Sequence, residues 1–176
     1  MSLERKLRFI RLSAVKIFEK GTELMNKDLF RDLIQSVTST IAGKPLNKAM
    51  GIEMNKTFPV DGDIFKEIQA ACEAAIADGW MCKQEYGGIK FGRVLKDVDG
   101  FSVDVVHMKD VVGPHHRHPK GEIDLIMPVV GKAKFDNHEA GWVVYGPDTD
   151  HRPTVTDGTA LVLYLLPGGE IEFTGQ

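Results

Sequence analysis

The hydrophobic period of this chain changes once, near residue 80, and that change limits the folds open to it. Beyond it, short alternating runs fall at 80–84, 88–95, 101–108, 122–128, 132–135, 141–145, 159–166 and 170–173. Alternation with period two is the signature of half-buried strands. Turn residues punctuate the runs: Gly87-Gly88, Asp99-Gly100, Pro119-Lys120-Gly121, Asp157-Gly158 and Pro167-Gly168-Gly169. Glycine and aspartate accept positive φ and proline fixes φ, as tight turns require. No helix-length segment separates the runs, so a parallel βαβ sheet is not expected. Many short strands in roughly 95 residues predict an antiparallel barrel or jelly roll.

Before residue 80 the spacing is helical. Leu24, Phe30, Leu33, Ile34, Val37 and Ile41 recur at steps of three and four, with Asn26 or Asp28 as cap and Gly43 with Pro45 as stop. Ile64, Phe65, Ile68, Ala71, Cys72, Ala75 and Ile76 form a second apolar face, capped by Asp61 or Asp63 and ended by Gly79. The expected organisation is one compact domain: a helical part over residues 1–79, packed outside the strands or making a dimer contact, and a β part over 80–176. Leu3, Leu7, Ile10 and Ala14 continue a helical spacing in a locally basic start, where Arg5, Lys6, Arg8, Arg11, Lys16 and Lys20 outnumber Glu4 and Glu19. This reads as a surface helix or an appended extension in preference to a targeting or membrane-surface helix.

The charge balance narrows the partners. With 22 basic and 25 acidic residues among 176, the net charge is −3, which argues against nucleic acid, because phosphate binding needs a basic surface. No apolar run approaches the roughly 18 residues of a membrane span. Two cysteines, Cys72 and Cys82, give no disulfide framework, and no secretory leader pattern is present. A soluble, reduced, cytoplasmic protein is expected, and a homodimer, because sheet edges and apolar helices need cover.

The chemistry concentrates in Gly113-Pro-His-His-Arg-His-Pro-Lys-Gly-Glu122. In a strand His116 and His118 share a face, while His115 and Arg117 point the other way. The Pro-Lys-Gly turn then reverses the chain, which would set Glu122 on the neighbouring strand beside the two imidazoles. Two imidazoles and a carboxylate suit a first-row divalent ion, with Fe, Mn, Zn and Ni all allowed, and leave positions open for substrate. Glu122 could serve as ligand or as general acid/base; the ligand role is preferred. His151, in Gly146-Pro-Asp-Thr-Asp-His-Arg-Pro153, is a fourth candidate. His107 and His138 stand alone and read as ordinary surface or core residues.

These motifs resemble those of the cupin superfamily, in which a His-x-His and a following Glu are joined by a later His. The likeness covers roughly residues 80–173 and implies an RmlC-like β-barrel or jelly roll. The second motif here is one residue shorter than usual and lacks its central glycine. At finer grain, Gly79-Trp-Met-Cys82, Gly87-Gly-Ile-Lys-Phe-Gly-Arg93, Phe101-Ser-Val-Asp-Val-Val106, the run ending at Glu122, Gly141-Trp142, His151-Arg-Pro-Thr154 and Leu163-Tyr-Leu-Leu-Pro-Gly-Gly169 resemble the bacterial 4-hydroxylaminobenzoate lyase family. The resemblance implies conversion of 4-hydroxylaminobenzoate to 3,4-dihydroxybenzoate with release of ammonia, in nitroaromatic breakdown.

A small aromatic acid as substrate calls for further groups. Arg93, Arg117 and Arg152 are candidates to hold its carboxylate through paired hydrogen bonds, Arg117 the weakest because it alternates away from the histidines. Trp142 could stack on the ring, and Tyr164 and Tyr145 could donate hydrogen bonds. Catalytic roles are expected for His116, Glu122 and Tyr164. Neither cysteine has a neighbouring base in sequence, as a nucleophile would need. Two other readings compete: a metal-dependent oxygenase or isomerase, and a non-catalytic barrel that binds a small ligand.

Overall fold

A computed structural model describes residues 25–176; the basic segment with Leu3, Leu7, Ile10 and Ala14, and also Leu24, lie outside them. Among the described residues three helices precede the strands: α1 (Lys27–Ile41), α2 (Lys48–Thr57) and α3 (Asp63–Ala77). Asn26 caps α1, its side-chain oxygen accepting from the N–H groups of Asp28 and Leu29, which satisfies donors that the first turn leaves free. α3 differs from expectation: Gly62 occupies its cap position with no side-chain bond, and Asp63 is already helical. α2 was not foreseen. Its apolar residues are sparse, with only Met50, Gly51 and Met54 buried, so the periodic signal is weak, and Asn47 capping Met50 N–H marks its start.

Nine strands follow: β1 (Gln84–Tyr86), β2 (Ile89–Val98), β3 (Phe101–Val112), β4 (His116–His118), β5 (Glu122–Phe135), β6 (Gly141–Tyr145), β7 (Thr149–His151), β8 (Thr154–Pro167) and β9 (Glu172–Phe173). They form a six-stranded sheet in the order β1-β2-β3-β8-β5-β6 and a three-stranded sheet in the order β7-β4-β9. All pairings are antiparallel. The two sheets do not close into a hydrogen-bonded barrel; the architecture is the jelly-roll form of the expected cupin-type fold. Two-residue hairpins at Gly87-Gly88 and Asp99-Gly100, all four residues with positive φ, join β1 to β2 and β2 to β3, the geometry that matches strand twist.

Two sequence boundaries move. The runs 122–128 and 132–135 are one strand, β5, bent by register shifts on either side of Gly131. Pro128 is tolerated there because β6 pairs only with Glu122 to Ile126, so one edge of β5 is free at that point. Asp157-Gly158 is not a turn between strands but an irregularity within β8, opposite the register shift of β3 at Asp110. The Asp110 carboxylate accepts the Gly158 N–H at 3.0 Å.

Alternation then divides the large sheet into two faces. Val103, Val105, Ile123, Leu125, Met127, Leu161, Leu163 and Leu165 face the helices and share one core with Phe30, Ile34, Val37, Met54, Ile68 and Cys72. Each such side chain contributes roughly 1.5–3 kcal/mol by leaving water. Asn55 of α2 pins this layer to β6: its amide donates to Trp142 O at 2.7 Å and its oxygen accepts Trp142 N–H at 2.9 Å. Gly141 is required beside it, since its φ is +127° and a Cβ there would lie 2.6 Å from the Asn55 side-chain oxygen. The opposite face of the sheet looks toward β7-β4-β9 and carries the polar residues.

Candidate metal centre and cavity

β4 is three residues long, and alternation buries His116 and His118 while Arg117 faces out to Asp148 and Glu172. β7 pairs with it so that His151 stands opposite His116. The turn at Pro119-Lys120-Gly121 then carries the chain from the small sheet to the large one. Gly121 has φ +88°, and a Cβ would lie 2.6 Å from Tyr145 O, so this crossing needs glycine. Glu122 therefore faces the histidines across the sandwich, not from a neighbouring strand of the same sheet as expected.

The four side chains offer donor atoms within 4.8 Å of one another. Glu122 Oε2 lies 3.4 Å from His118 Nε2 and 4.0 Å from His116 Nε2; Glu122 Oε1 lies 3.7 Å from His151 Nε2. The Nε2 atoms of His116 and His151 are 2.9 Å apart. Donors bound at about 2.1 Å to one ion sit roughly 3–4 Å from each other, so the spacing suits a common cation.

The rings are held from behind. His116 Nδ1 bonds the Pro114 carbonyl at 3.2 Å, His118 Nδ1 the Thr149 hydroxyl at 3.1 Å, and His151 Nδ1 the Asp136 carboxylate. Among the described residues His118 Nε2 and both Glu122 oxygens have no hydrogen-bond partner, although buried. Orphaned buried polar atoms are costly in a finished fold, and a cation among them would satisfy all at once. The residues present thus fit a metal site of three histidines and one glutamate.

Electrostatics agree with an electron-rich, desolvated cluster. Burial, then the neighbouring His151, lowers His116 to about 4. Burial, with His116 and His151 nearby, lowers His118 to about 3. Both imidazoles are neutral at ordinary pH, the form that can ligate a metal. Burial raises Glu122 to about 7. Burial and the Glu122 charge hold Asp124 well above the usual carboxylate range. The Glu122 carboxyl is the polar neighbour of Asp124, and neither Asp124 oxygen has a further partner among the described residues.

A cavity of about 710 Å³ meets this cluster at His116. Its wall is mostly apolar, with Ile89, Phe91, Val106, Met108, Ile171 and Phe173. Tyr86 and Phe173 remain 76% and 65% exposed, which places them at the mouth. Arg93, Asp104 and Tyr164 supply polar groups. Arg93 Nε and Nη2 donate to the two Asp104 oxygens at 2.8 and 3.0 Å, and Nη2 also to Gly169 O at 3.0 Å. The Asp104 hydrogen bond raises the Arg93 pKa. In register, Arg93, Asp104, Tyr164 and Asp124 form one row across β2, β3, β8 and β5.

Two expected substrate contacts are not brought to the cavity. Trp142 is buried against the helices, its indole N–H bonded to Phe58 O at 3.2 Å; it lies on the helix-facing side because β6 alternates Trp142 away from Val143 and Tyr145. Arg152 is exposed, in the two-residue break between β7 and β8. Tyr145 borders the cluster instead, its ring 4.8 Å from that of His151 and 5.7 Å from that of His118. Cys72 and Cys82 are buried free thiols away from the cavity wall; burial raises both, Cys82 to about 11, which leaves them poor nucleophiles. Asp124, Asp104 and Asp136 escaped the sequence reading. For Asp124 a signal existed: an aspartate two positions after Glu122, within an apolar run, must share Glu122's face.

Comparison with known proteins accords with this picture. The profile of PnbB, 4-hydroxylaminobenzoate lyase, matches residues 32–173. The 4-hydroxylaminobenzoate lyase of Nocardioides sp. (strain LMS-CY) is 24% identical over 152 residues, covering 80% of this chain and 88% of that protein. The enzyme of the same name from Pseudomonas putida is 24% identical over 173 residues, covering 86% and 98%. Among solved structures, an RmlC-like cupin of Ralstonia eutropha JMP134 is similar with TM-score 0.42, 19% identity and coverage of 53% of this chain and 64% of that one. The match over residues 32–173, which takes in the histidine–glutamate cluster and the whole cavity wall, shows that the chain belongs to the PnbB 4-hydroxylaminobenzoate lyase family.

Proposed function

We propose that the chain is a lyase that converts 4-hydroxylaminobenzoate to 3,4-dihydroxybenzoate and ammonia, in the breakdown of nitroaromatic compounds. The observation that carries this reading is the junction, at His116, of an apolar cavity with the cluster of three histidines and a glutamate; the family supplies the name of the substrate. The reaction breaks the N–O bond, places oxygen on the adjacent ring carbon and replaces C–N by C–O. One water is consumed and ammonia leaves, so the balance closes without an oxidant.

A divalent cation held by His116, His118, Glu122 and His151 would supply Lewis-acid polarisation of the hydroxylamine oxygen when bound. The chain's own groups do the rest. Ile89, Phe91, Val106 and Met108 take the ring out of water. Tyr164, on the cavity wall beside Asp104 and Asp124, offers a hydroxyl to the reacting end. Arg93 receives the substrate carboxylate on Nη1, because Nε and Nη2 are bonded to Asp104 and Gly169; it stands three strands, about 14 Å, from the strand that bears Glu122. Two side chains and a para-substituted ring can fill that span. The protein is read as cytoplasmic and homodimeric, with the edge of β1, unpaired among the described residues, available to a second copy.

Turnover tests the reading. Purified protein given 4-hydroxylaminobenzoate should release ammonia and 3,4-dihydroxybenzoate in equal amounts with no oxygen uptake. Oxygen consumed in step with product would favour an oxygenase instead. Arg93→Ala should weaken use of this acid at least tenfold more than that of phenylhydroxylamine, which lacks the carboxylate; equal losses would remove Arg93 from the substrate site.

A further inference from the structure

We infer that Asp136 is a positioning residue, which fixes the proton of His151 on Nδ1 and so turns the Nε2 lone pair of that ring into the cluster. The inference rests on the reading of the cluster as a metal site. Asp136 follows β5 directly, with a left-handed φ of +49°, and its carboxylate gathers three elements. Oδ2 accepts from His151 Nδ1 of β7 and from the Tyr145 hydroxyl of β6 at 2.8 Å; Oδ1 accepts the Thr154 N–H of β8 at 2.8 Å. A carboxylate can only accept here, so the proton in the His151 bond sits on the ring.

The other two rings are fixed in the same sense by weaker means. The Pro114 carbonyl facing His116 Nδ1 is an acceptor only. The Thr149 hydroxyl gives its proton to Gly146 O at 2.7 Å and so accepts from His118 Nδ1. All three Nε2 atoms therefore present lone pairs. Those of His116 and His151 are 2.9 Å apart, a spacing that a proton shared between them, or a cation in its place, satisfies. Neither ring can supply that proton from its own Nδ1 without breaking a bond behind it. His151 has the strongest restraint, because its partner is charged and is itself held by Tyr145 and Thr154. Asp136 thus holds a ligand ready for a cation before any cation arrives. The ring of Tyr145 is held against His151 and His118 by the same carboxylate.

The test is made on the metal-free protein at pH 8 by ¹⁵N resonances of the imidazoles, with His151 assigned through His151→Gln. The native chain should show His151 protonated on Nδ1; protonation on Nε2 overturns the inference without any variant. Asp136→Asn, whose amide can donate to Nδ1, should move the His151 proton to Nε2 and weaken Zn²⁺ binding about 10- to 100-fold. Tyr145→Phe, which leaves the Asp136–His151 bond in place, should keep the native tautomer and bind Zn²⁺ within about threefold. A folded Asp136→Asn with the native tautomer, or with native Zn²⁺ affinity, would sink the proposal. Failure of the native protein to bind Zn²⁺, Mn²⁺ or Fe²⁺ would instead remove the metal reading, while the tautomer result would still report on Asp136.

Discussion

The two faces of the six-stranded sheet use the same strands for opposite ends. On β5, Ile123, Leu125 and Met127 face the helices, while Glu122, Asp124 and Ile126 face the small sheet. On β8, Leu161, Leu163 and Leu165 oppose Val162, Tyr164 and Leu166 in the same way. The outer face is dry, apolar and packed against α1, α2 and α3. The inner face buries the Glu122 and Asp124 carboxyl groups and the Ser102 hydroxyl without a further hydrogen-bond partner among the described residues, facing the equally unpartnered His118 Nε2 of the small sheet. Period-two alternation thus lets one strand carry stability on one side and chemistry on the other. The outer face must compensate for what the inner face costs.

That contrast can be broken from either side. Leu163→Ala, in the fully buried outer layer, should cost about 2–5 kcal/mol in chemical denaturation, while the folded fraction keeps its affinity for metal. A loss below about 1 kcal/mol would mean that the outer face does not support the sheet.

Asp124→Asn should act in the opposite direction, raising the stability of the metal-free protein by about 1–3 kcal/mol. The sign follows from the raised folded-state pKa of Asp124. Such a group keeps its proton in the fold and loses it when unfolded, so its penalty grows as pH rises above the ordinary aspartate range. The gain from Asn should therefore be larger at pH 8 than at pH 5. Destabilisation at both pH values would show that Asp124 has a further partner after all.

The smallest effect concerns metal uptake. Glu122 must give up its proton to ligate, and burial raises its pKa to about 7. Its contribution should weaken metal affinity about tenfold per pH unit below 7 and vanish above. His116 and His118, lowered to about 4 and about 3, should add to this only in stronger acid. A metal-binding curve flat from pH 5 to 7 would take Glu122 out of the ligand set.

What the sequence revealed follows the same division. The outer face, the hairpins at Gly87-Gly88 and Asp99-Gly100, and the pairing of His116 with His118 on one side were legible because they depend on neighbours in sequence. What was not legible depends on which sheet a strand joins. The chain crosses between sheets at Gly121, so Glu122 meets the histidines from across the sandwich. β7 pairs with β4, so His151 joins them despite an irregular second motif. Trp142 and Arg152 misled for a related reason: their residue types suit an aromatic acid, but alternation on β6 and the break after β7 turn them elsewhere. Asp136 carried no local signal, because its partners Tyr145, His151 and Thr154 come from three later strands.

The central claim, that the cluster of His116, His118, Glu122 and His151 binds the metal on which the lyase depends, is most directly tested by metal content and turnover measured together on native protein and His118→Ala. His118 is fully buried and its Nε2 has no partner among the described residues. The account predicts that the folded variant retains less than about a tenth of the native metal, by mass spectrometry, and loses release of ammonia from 4-hydroxylaminobenzoate in proportion. Native metal content in His118→Ala, or full turnover by metal-depleted native protein, would contradict it.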